Sequence, residues 1–295
     1  MELKHLRSFL AVAQEASFTR AARRLHIAQP PLSQRIRQLE EEVGVSLFDR
    51  HTRKVTLSRA GQVFFDDVVR LLAGLDQAVA ACRRADKGEL GELRVGYSGR
   101  ASHLLLPRLL HAFRTRFPEV DLDLVGPHPS GTLRTLLLEE RLDVALCFLP
   151  FADDGIATRS LASIEFVLAL PATHPLAKQA HVDLAALATD PFVAYPANKG
   201  FQLREAMDAE CRRSGFTPRV LRESETSQVL LCLVAAGMGA SIVPRELQYQ
   251  EEIAGVAFKS LGADAVRLDH GMAWLAGNRN PALRNLLALD LRVDA

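Results

Sequence analysis

Apolar residues recur three or four positions apart through the amino-terminal part of the chain, the spacing of amphipathic helices. Leu6, Phe9, Leu10 and Ala13 share one face of a helix predicted near residues 3–14. Ser17 is placed to cap a second helix running to Leu25, in which Ala21 and Ala22 are small enough for another helix to approach closely. After the turn His26-Ile27-Ala28, Pro30 and Pro31 suit the first turn of a third helix, where a missing N–H costs nothing. There Leu32, Ile36, Leu39 and Val43 form a narrow stripe, while Pro30, Gln34 and Arg37 point the opposite way, flanked by Ser33 and Gln38. Residues 47–57 then predict a short hairpin anchored by Phe48 and Val55.

Residues 58–85 predict one long helix without proline. Val63, Phe64, Val68, Leu71, Leu72, Leu75, Val79 and Cys82 make its apolar stripe too broad for solvent, which points to burial against a second copy, with packing on the chain's own head as the alternative. Lys87-Gly88-Glu89-Leu90-Gly91 is the predicted joint. Beyond it, strands predicted at 93–97, 120–125 and 144–148 alternate with helices at 101–117 and 130–140, a βαβαβ order that implies a parallel sheet covered by helices. A second round has strands at 166–170, 192–195, 219–222 and 239–243 and helices at 203–214 and 228–236. A strand at 270–275 and a helix at 281–291 then return to the first lobe. The predicted architecture is an all-α winged helix-turn-helix and a long linker helix ahead of an α/β domain of two Rossmann-like lobes enclosing a hinged cleft. The boundaries are residues 1–61 for the head, 58–88 for the linker and 89–295 for the two-lobed domain. Lobe I takes 89–161 and 268–295, and lobe II takes 162–267.

Charge sharpens this division. Residues 1–60 hold eleven Lys/Arg against six Asp/Glu, a net +5, so the +1 of the whole chain leaves −4 on the remainder. A basic head with an outward Gln/Ser/Arg helix face suits duplex DNA. Gln29, Pro30, Ser33, Gln34 and Arg37 offer contacts to base edges in the major groove, and Arg35, nearer the core boundary, is expected on phosphate. Arg50, Arg53 and Lys54 make the hairpin a basic wing for backbone or minor groove. The run Glu40-Glu41-Glu42 is expected to face solvent.

Other chemistry is sparse. No run approaches the ~18 apolar residues of a membrane span, and the short Phe9–Ala13 stretch is no signal peptide, so a cytoplasmic protein is expected. No GxSxG, P-loop, GxGxxG or HExxH spacing occurs, so neither catalysis, a metal nor a cofactor is expected. Cys147 and Cys232 are expected in cores, whereas Cys211, beside Arg212 and Arg213, is a candidate for a lowered pKa.

Phe18-Thr19-Arg20-Ala21-Ala22, Gln29-Pro30-Pro31-Leu32-Ser33, Leu39-Glu40, Gly44, Leu47-Phe48-Asp49-Arg50 and Thr56-Leu57-Ser58-Arg59-Ala60-Gly61 form a long ordered signature. It resembles the DNA-binding end of the LysR-type transcriptional regulators. Leu106-Pro107, Leu142-Asp143, Val234-Ala235-Ala236-Gly237 and Ile242-Val243-Pro244 extend the likeness more loosely. The resemblance implies a bacterial regulator with a two-lobed effector domain like that of periplasmic solute-binding proteins. It also implies assembly as a homotetramer, a dimer of dimers, with RNA polymerase a candidate partner. It assigns Gln29, Pro30, Ser33, Arg50 and Arg53 to DNA, and Arg100, Ser130, Asn198 and Thr226 to the surroundings of a small-molecule effector. One departure is that Gln34 precedes Arg35, where many members have Arg then Gln.

Strand-to-helix junctions supply effector candidates on independent grounds, because ligands in such sheets bind beyond strand carboxyl ends, where helix N-termini expose N–H groups. Ser98, Arg100 and Ser102 lie at the first junction, His128 and Ser130 at the next, and Asn198, Phe201 and Thr226 in lobe II. Arg100 favours an anion such as a carboxylate. For Ser130 and Thr226 simple helix capping stays open as the alternative, and for Arg100 a surface ion pair. For the whole protein, an architectural DNA binder without an effector stays open too.

Overall fold

The apolar stripes of the amino-terminal helices close on one another around Phe9. The computed structural model describes residues 1–49, 55–99, 102–150, 154–179, 181–197, 200–250, 254–262 and 264–291. Arg50, Arg53, Lys54, Arg100 and Asn198 lie outside these residues. The chain divides into two units, Met1–Arg83 and Arg84–Ala295, each with its own core.

In the first unit, α1 (Leu3–Glu15) stops at Ala16, which is left-handed with φ 46°. Ser17 opens α2 (Phe18–Arg24) by accepting a hydrogen bond from Arg20 N at 3.3 Å. Ala21 and Ala22 are buried where α2 enters the core. The third helix, α3 (Gln29–Val43), carries its prolines in the first turn and ends at Gly44, whose φ of 80° suits glycine. Leu32, Ile36 and Leu39 are fully buried, and the Phe9 ring packs on Phe48 and Phe64 at 5.3 and 5.2 Å. A short antiparallel pair follows, β1 (Phe48–Asp49) with β2 (Thr56–Leu57).

The expectation that Glu40 faces solvent is overturned. Glu40 is 8% exposed, and its Oε1 accepts hydrogen bonds from Leu47 N at 2.8 Å and Phe48 N at 3.3 Å. Four residues after Ile36, it stands on the buried face, where backbone donors at the entry to β1 satisfy the carboxylate. The stripe of α4 (Arg59–Asp86) is divided. Phe64, Val68 and Leu72 pack into the head core, whereas Val63 and Leu71 are 63% and 54% exposed.

In the second unit, β3 (Gly91–Tyr97) pairs in parallel with β4 (Val120–Val125) and β5 (Val144–Phe148). The crossovers are α5 (Ser102–Arg116) and α6 (Ser130–Leu138). The strand expected at 166–170 is the end of a longer one, β6 (Ile156–Pro171). Its first part is polar enough to obscure the strand pattern. Lobe II adds β7 (Pro191–Ala194), α7 (Gln202–Arg213), β8 (Arg219–Glu223), α8 (Ser227–Ala235), β9 (Ser241–Pro244), α9 (Leu247–Gln250) and β10 (Val256–Ser260). The chain returns through β11 (Arg267–Leu275) to α10 (Pro281–Leu287).

The pairing of β6 divides the lobes. Ile156 to Glu165 pair with β11, which also pairs with β5. Phe166 onward pairs with β9 and β10. Because successive side chains alternate faces, Phe166, Leu168 and Leu170 join the core under α7, while Val167 and Ala169 join the one under α8. In lobe I, Asp143 is buried and accepts from Arg94 Nε and Nη2, each at 3.1 Å, and from Arg94 N at 2.9 Å. Burial alone raises the Asp143 carboxyl, but these bonds and those of Asn278 and Asn280 outweigh it and hold the group below its ordinary value.

Two cysteine expectations change. Cys147 is buried, but Cys232 is exposed. Cys211 is buried too, and burial with Asp208 and Glu210 pushes its thiol up to about 12, against the influence of Arg212.

Glu40→Ala strips the acceptor from two backbone donors and is expected to destabilise the first unit by about 1–3 kcal/mol. The denaturant midpoint of that unit's transition is the measurement. An unchanged midpoint would contradict the role given to this carboxylate.

Candidate functional sites

The head presents one polar helix face. Gln29, Pro30, Gln34 and Arg37 of α3 are exposed, and Ser33 and Arg35 are half-buried on its flanks. Arg35 leans back on α1, with Nη1 3.5 Å from Ser8 Oγ. Thr19 of α2 donates to Gln29 Oε1 at 3.2 Å. Arg24 Nη1 donates to Gln14 Oε1 at 2.8 Å and approaches Glu15, leaving α3 the less encumbered surface.

The two-lobed unit encloses a cavity of about 340 Å³ at the carboxyl ends of β3, β5 and β7. Ser98, His128, Ser130 and Phe148 contribute from lobe I, and Tyr195, Phe201, Gln202 and Thr226 from lobe II. The first turns of α6, α7 and α8 converge on it through Ser130, Gln202 and Ser227. Five sequence candidates (Ser98, His128, Ser130, Phe201 and Thr226) are therefore brought together.

Ser102 does not line the cavity. It is fully buried behind Ser98, donating to Ser98 O at 2.7 Å with its Oγ 3.2 Å from His270 Nε2. The first residue of α5 follows the turn, so its hydroxyl folds back onto the strand end. Thr226 does cap α8, accepting from Val229 N at 3.4 Å, and it also faces the cavity. Pro129, rather than Ser130, occupies the cap position of α6.

Sequence reasoning missed several wall residues. Tyr195 stacks on Phe201 at 5.4 Å and 22°, and its hydroxyl lies 2.7 Å from Ser227 Oγ. Burial pushes the Tyr195 phenol up to about 12, with the Ser227 bond opposing, so the group stays protonated. Arg204 pins that strand end, donating to Tyr195 O at 2.9 Å and Glu223 Oε1 at 2.8 Å. Behind the cavity floor, His270 meets Phe148 edge-on at 5.0 Å and sits 3.5 Å from Ser98 Oγ. A signal for Tyr195 was present, since it ends an apolar strand; nothing local in sequence marks His270 or Arg204.

The lobes touch beside the cavity. Gly131 N donates to Gly200 O at 3.1 Å, and Gln202 Nε2 donates to Pro150 O. A β-carbon on Gly200 would lie 2.7 Å from Gly131 Cα. Aromatic and proline walls with a few hydroxyls and helix starts suit a small molecule with an apolar body and a polar head. Among the described lining residues there is no lysine or arginine, and Glu225 supplies a carboxylate.

Comparison with known families gives two matches. Residues 3–62 match the bacterial regulatory helix-turn-helix protein, lysR family, and residues 86–292 match the LysR substrate binding domain. The chain is 37% identical over 293 residues to the HTH-type transcriptional regulator ShiR of Corynebacterium glutamicum, covering 99% of both. It is 32% identical to AlsR of Bacillus subtilis, over 98% of this chain and 95% of that one. Among solved structures, full-length CbnR complexed with its target DNA matches with a TM-score of 0.79 and 27% identity, over 97% of each chain. None of the described helices is long and apolar enough to cross a membrane.

Burial lowers the His270 imidazole from 6.5 to about 4. The unfolded chain therefore binds a proton below about pH 6.5 that the native state refuses until about 4. Stability from this group is complete above that window and is lost as pH falls through it, a difference on the order of 3 kcal/mol. Denaturant midpoints of the full chain at pH 7 and 4.5 are expected to differ less in His270→Gln than in the parent. Equal pH losses would remove His270 as a source.

Proposed function

The chain belongs to the LysR family of DNA-binding transcriptional regulators, and from that premise we propose that α3 reads a specific duplex sequence while a small organic acid in the interlobe cavity modulates that activity. It is a regulator rather than an enzyme, as are the full-length relatives. The observation that carries the DNA half is the division of α3, with Leu32, Ile36 and Leu39 buried and Gln29, Gln34 and Arg37 in solvent. In this reading Gln29, Pro30, Ser33, Gln34 and Arg37 meet base edges, and Arg35 lies beside them toward phosphate. Arg50, Arg53 and Lys54, by their place in the sequence, supply the wing's charge.

The exposed apolar residues of α4, Val63, Leu71 and Val79, support pairing of two linker helices. Paired recognition helices fit half-sites about one turn apart, and a homotetramer extends that arrangement. By its place in the sequence, after the first strand of the two-lobed unit, Arg100 is the candidate cation for the effector's carboxylate.

Gel shifts on duplex selected by the full chain test the first half. Gln29→Ala and Ser33→Ala are each expected to weaken specific binding about tenfold while leaving non-specific affinity intact. Indifference to sequence combined with a steep salt dependence would favour an architectural binder instead.

A thermal-shift screen of small aromatic and aliphatic carboxylates tests the second half. A stabilising acid is expected, and Gly200→Ala should reduce its shift, because the added carbon separates the lobes at their contact. An undiminished shift in that variant would detach the lobe contact from ligand binding.

A further inference from the structure

Gln29 is the first residue of α3, and Ala28 before it supplies no side-chain cap. The Gln29 side chain has one tether among the described residues, the hydrogen bond its Oε1 accepts from Thr19 Oγ1 at 3.2 Å. Both residues are exposed. Thr19 stands in the capped first turn of α2, where Ser17 holds Arg20 N, so its own position is set by that cap. The two protons of Gln29 Nε2 remain unspent at the surface.

A glutamine that turns freely can present either end of its amide, and its usual partner, adenine, uses both. One held through its oxygen offers its donors instead. We propose that Thr19 is a positioning residue for base recognition, fixing Gln29 as a hydrogen-bond donor. The selected base then presents acceptors in the major groove, guanine through O6 and N7 or thymine through O4, and the exocyclic amine of cytosine is refused. The inference rests on the reading that the α3 face meets DNA.

The experiment is selection of bound sequences from a randomised duplex pool at fixed salt. It uses the full chain as wild type, Thr19→Val, Thr19→Ser and Gln29→Ala. Gln29→Ala identifies the position that Gln29 reads, and wild type is expected to enrich guanine or thymine there about tenfold over cytosine. Thr19→Val, nearly isosteric but lacking the hydroxyl, is expected to lose that preference at that position alone. Its other preferences and the salt dependence of its affinity should stay as in wild type, and Thr19→Ser should retain the full profile.

A Thr19→Val protein with wild-type thermal midpoint and an unchanged profile overturns the inference. So does a loss spread evenly over all positions, or enrichment of cytosine or adenine where Gln29 reads. If Gln29→Ala leaves every preference intact, the docking of the α3 face on bases fails first and the role of Thr19 falls with it. If Gln29→Ala flattens one position that Thr19→Val leaves alone, only the role of Thr19 fails.

Discussion

Burial of the second part of β6 on both faces is the constraint from which the two-lobed unit follows. A single strand, Ile156–Pro171, begins in one sheet beside β11 and ends in another between β9 and β10. The run Phe166 to Leu170 is apolar at every position because one helix layer covers each face. Two strands, β6 and β11, thus carry the polypeptide between lobes, and the cavity is lined by residues of both lobes. A polar residue in that run would be buried without partners whichever face its side chain met.

The head follows a simpler rule. Placing Leu32, Ile36 and Leu39 against Phe9 and Val12 leaves α3 no rotational freedom, and Gln29, Gln34 and Arg37 are outward as a consequence. This much was legible in the sequence, because a helical period reports directly on which residues share a face. Glu40 was illegible for the same reason that made the acidic run look solvated. Charge outweighed position in that reading, and only the fold reveals two backbone N–H groups waiting opposite the carboxylate. The case argues for giving helical phase priority over residue type when a charged side chain follows an apolar one by four.

In the second unit, strand-to-helix junctions point to the cavity, since Ser98, His128, Ser130, Phe201 and Thr226 all sit at such ends and line it. What the junction rule cannot supply is the direction of a hydroxyl. Ser98 and Ser102 are four residues apart at one junction and both hydroxyls approach His270, yet only Ser98 lines the cavity. His270 itself arrives from a strand distant in sequence, at a pairing irregularity between His270 and Gly271. The first part of β6 and the short β10 were missed because their alternation is diluted by Thr158, Arg159, Ser160 and Lys259. Cys232 was misplaced by its apolar neighbours, which belong to the opposite face of α8.

A molecule seated in this cavity necessarily touches both lobes, because Ser98 and Ser130 belong to one and Tyr195 and Thr226 to the other. The cavity belongs to the arrangement in which Gly131 and Gly200 join the lobes. A ligand that uses both walls would favour this arrangement over one with the lobes apart, and only such a difference in affinity could shift an equilibrium between them. The Gly131–Gly200 and Gln202–Pro150 hydrogen bonds each contribute about 1 kcal/mol to the lobe contact. Ligand contacts worth a few kcal/mol are enough to dominate it. The glycine pair allows the close approach of the lobes at that contact.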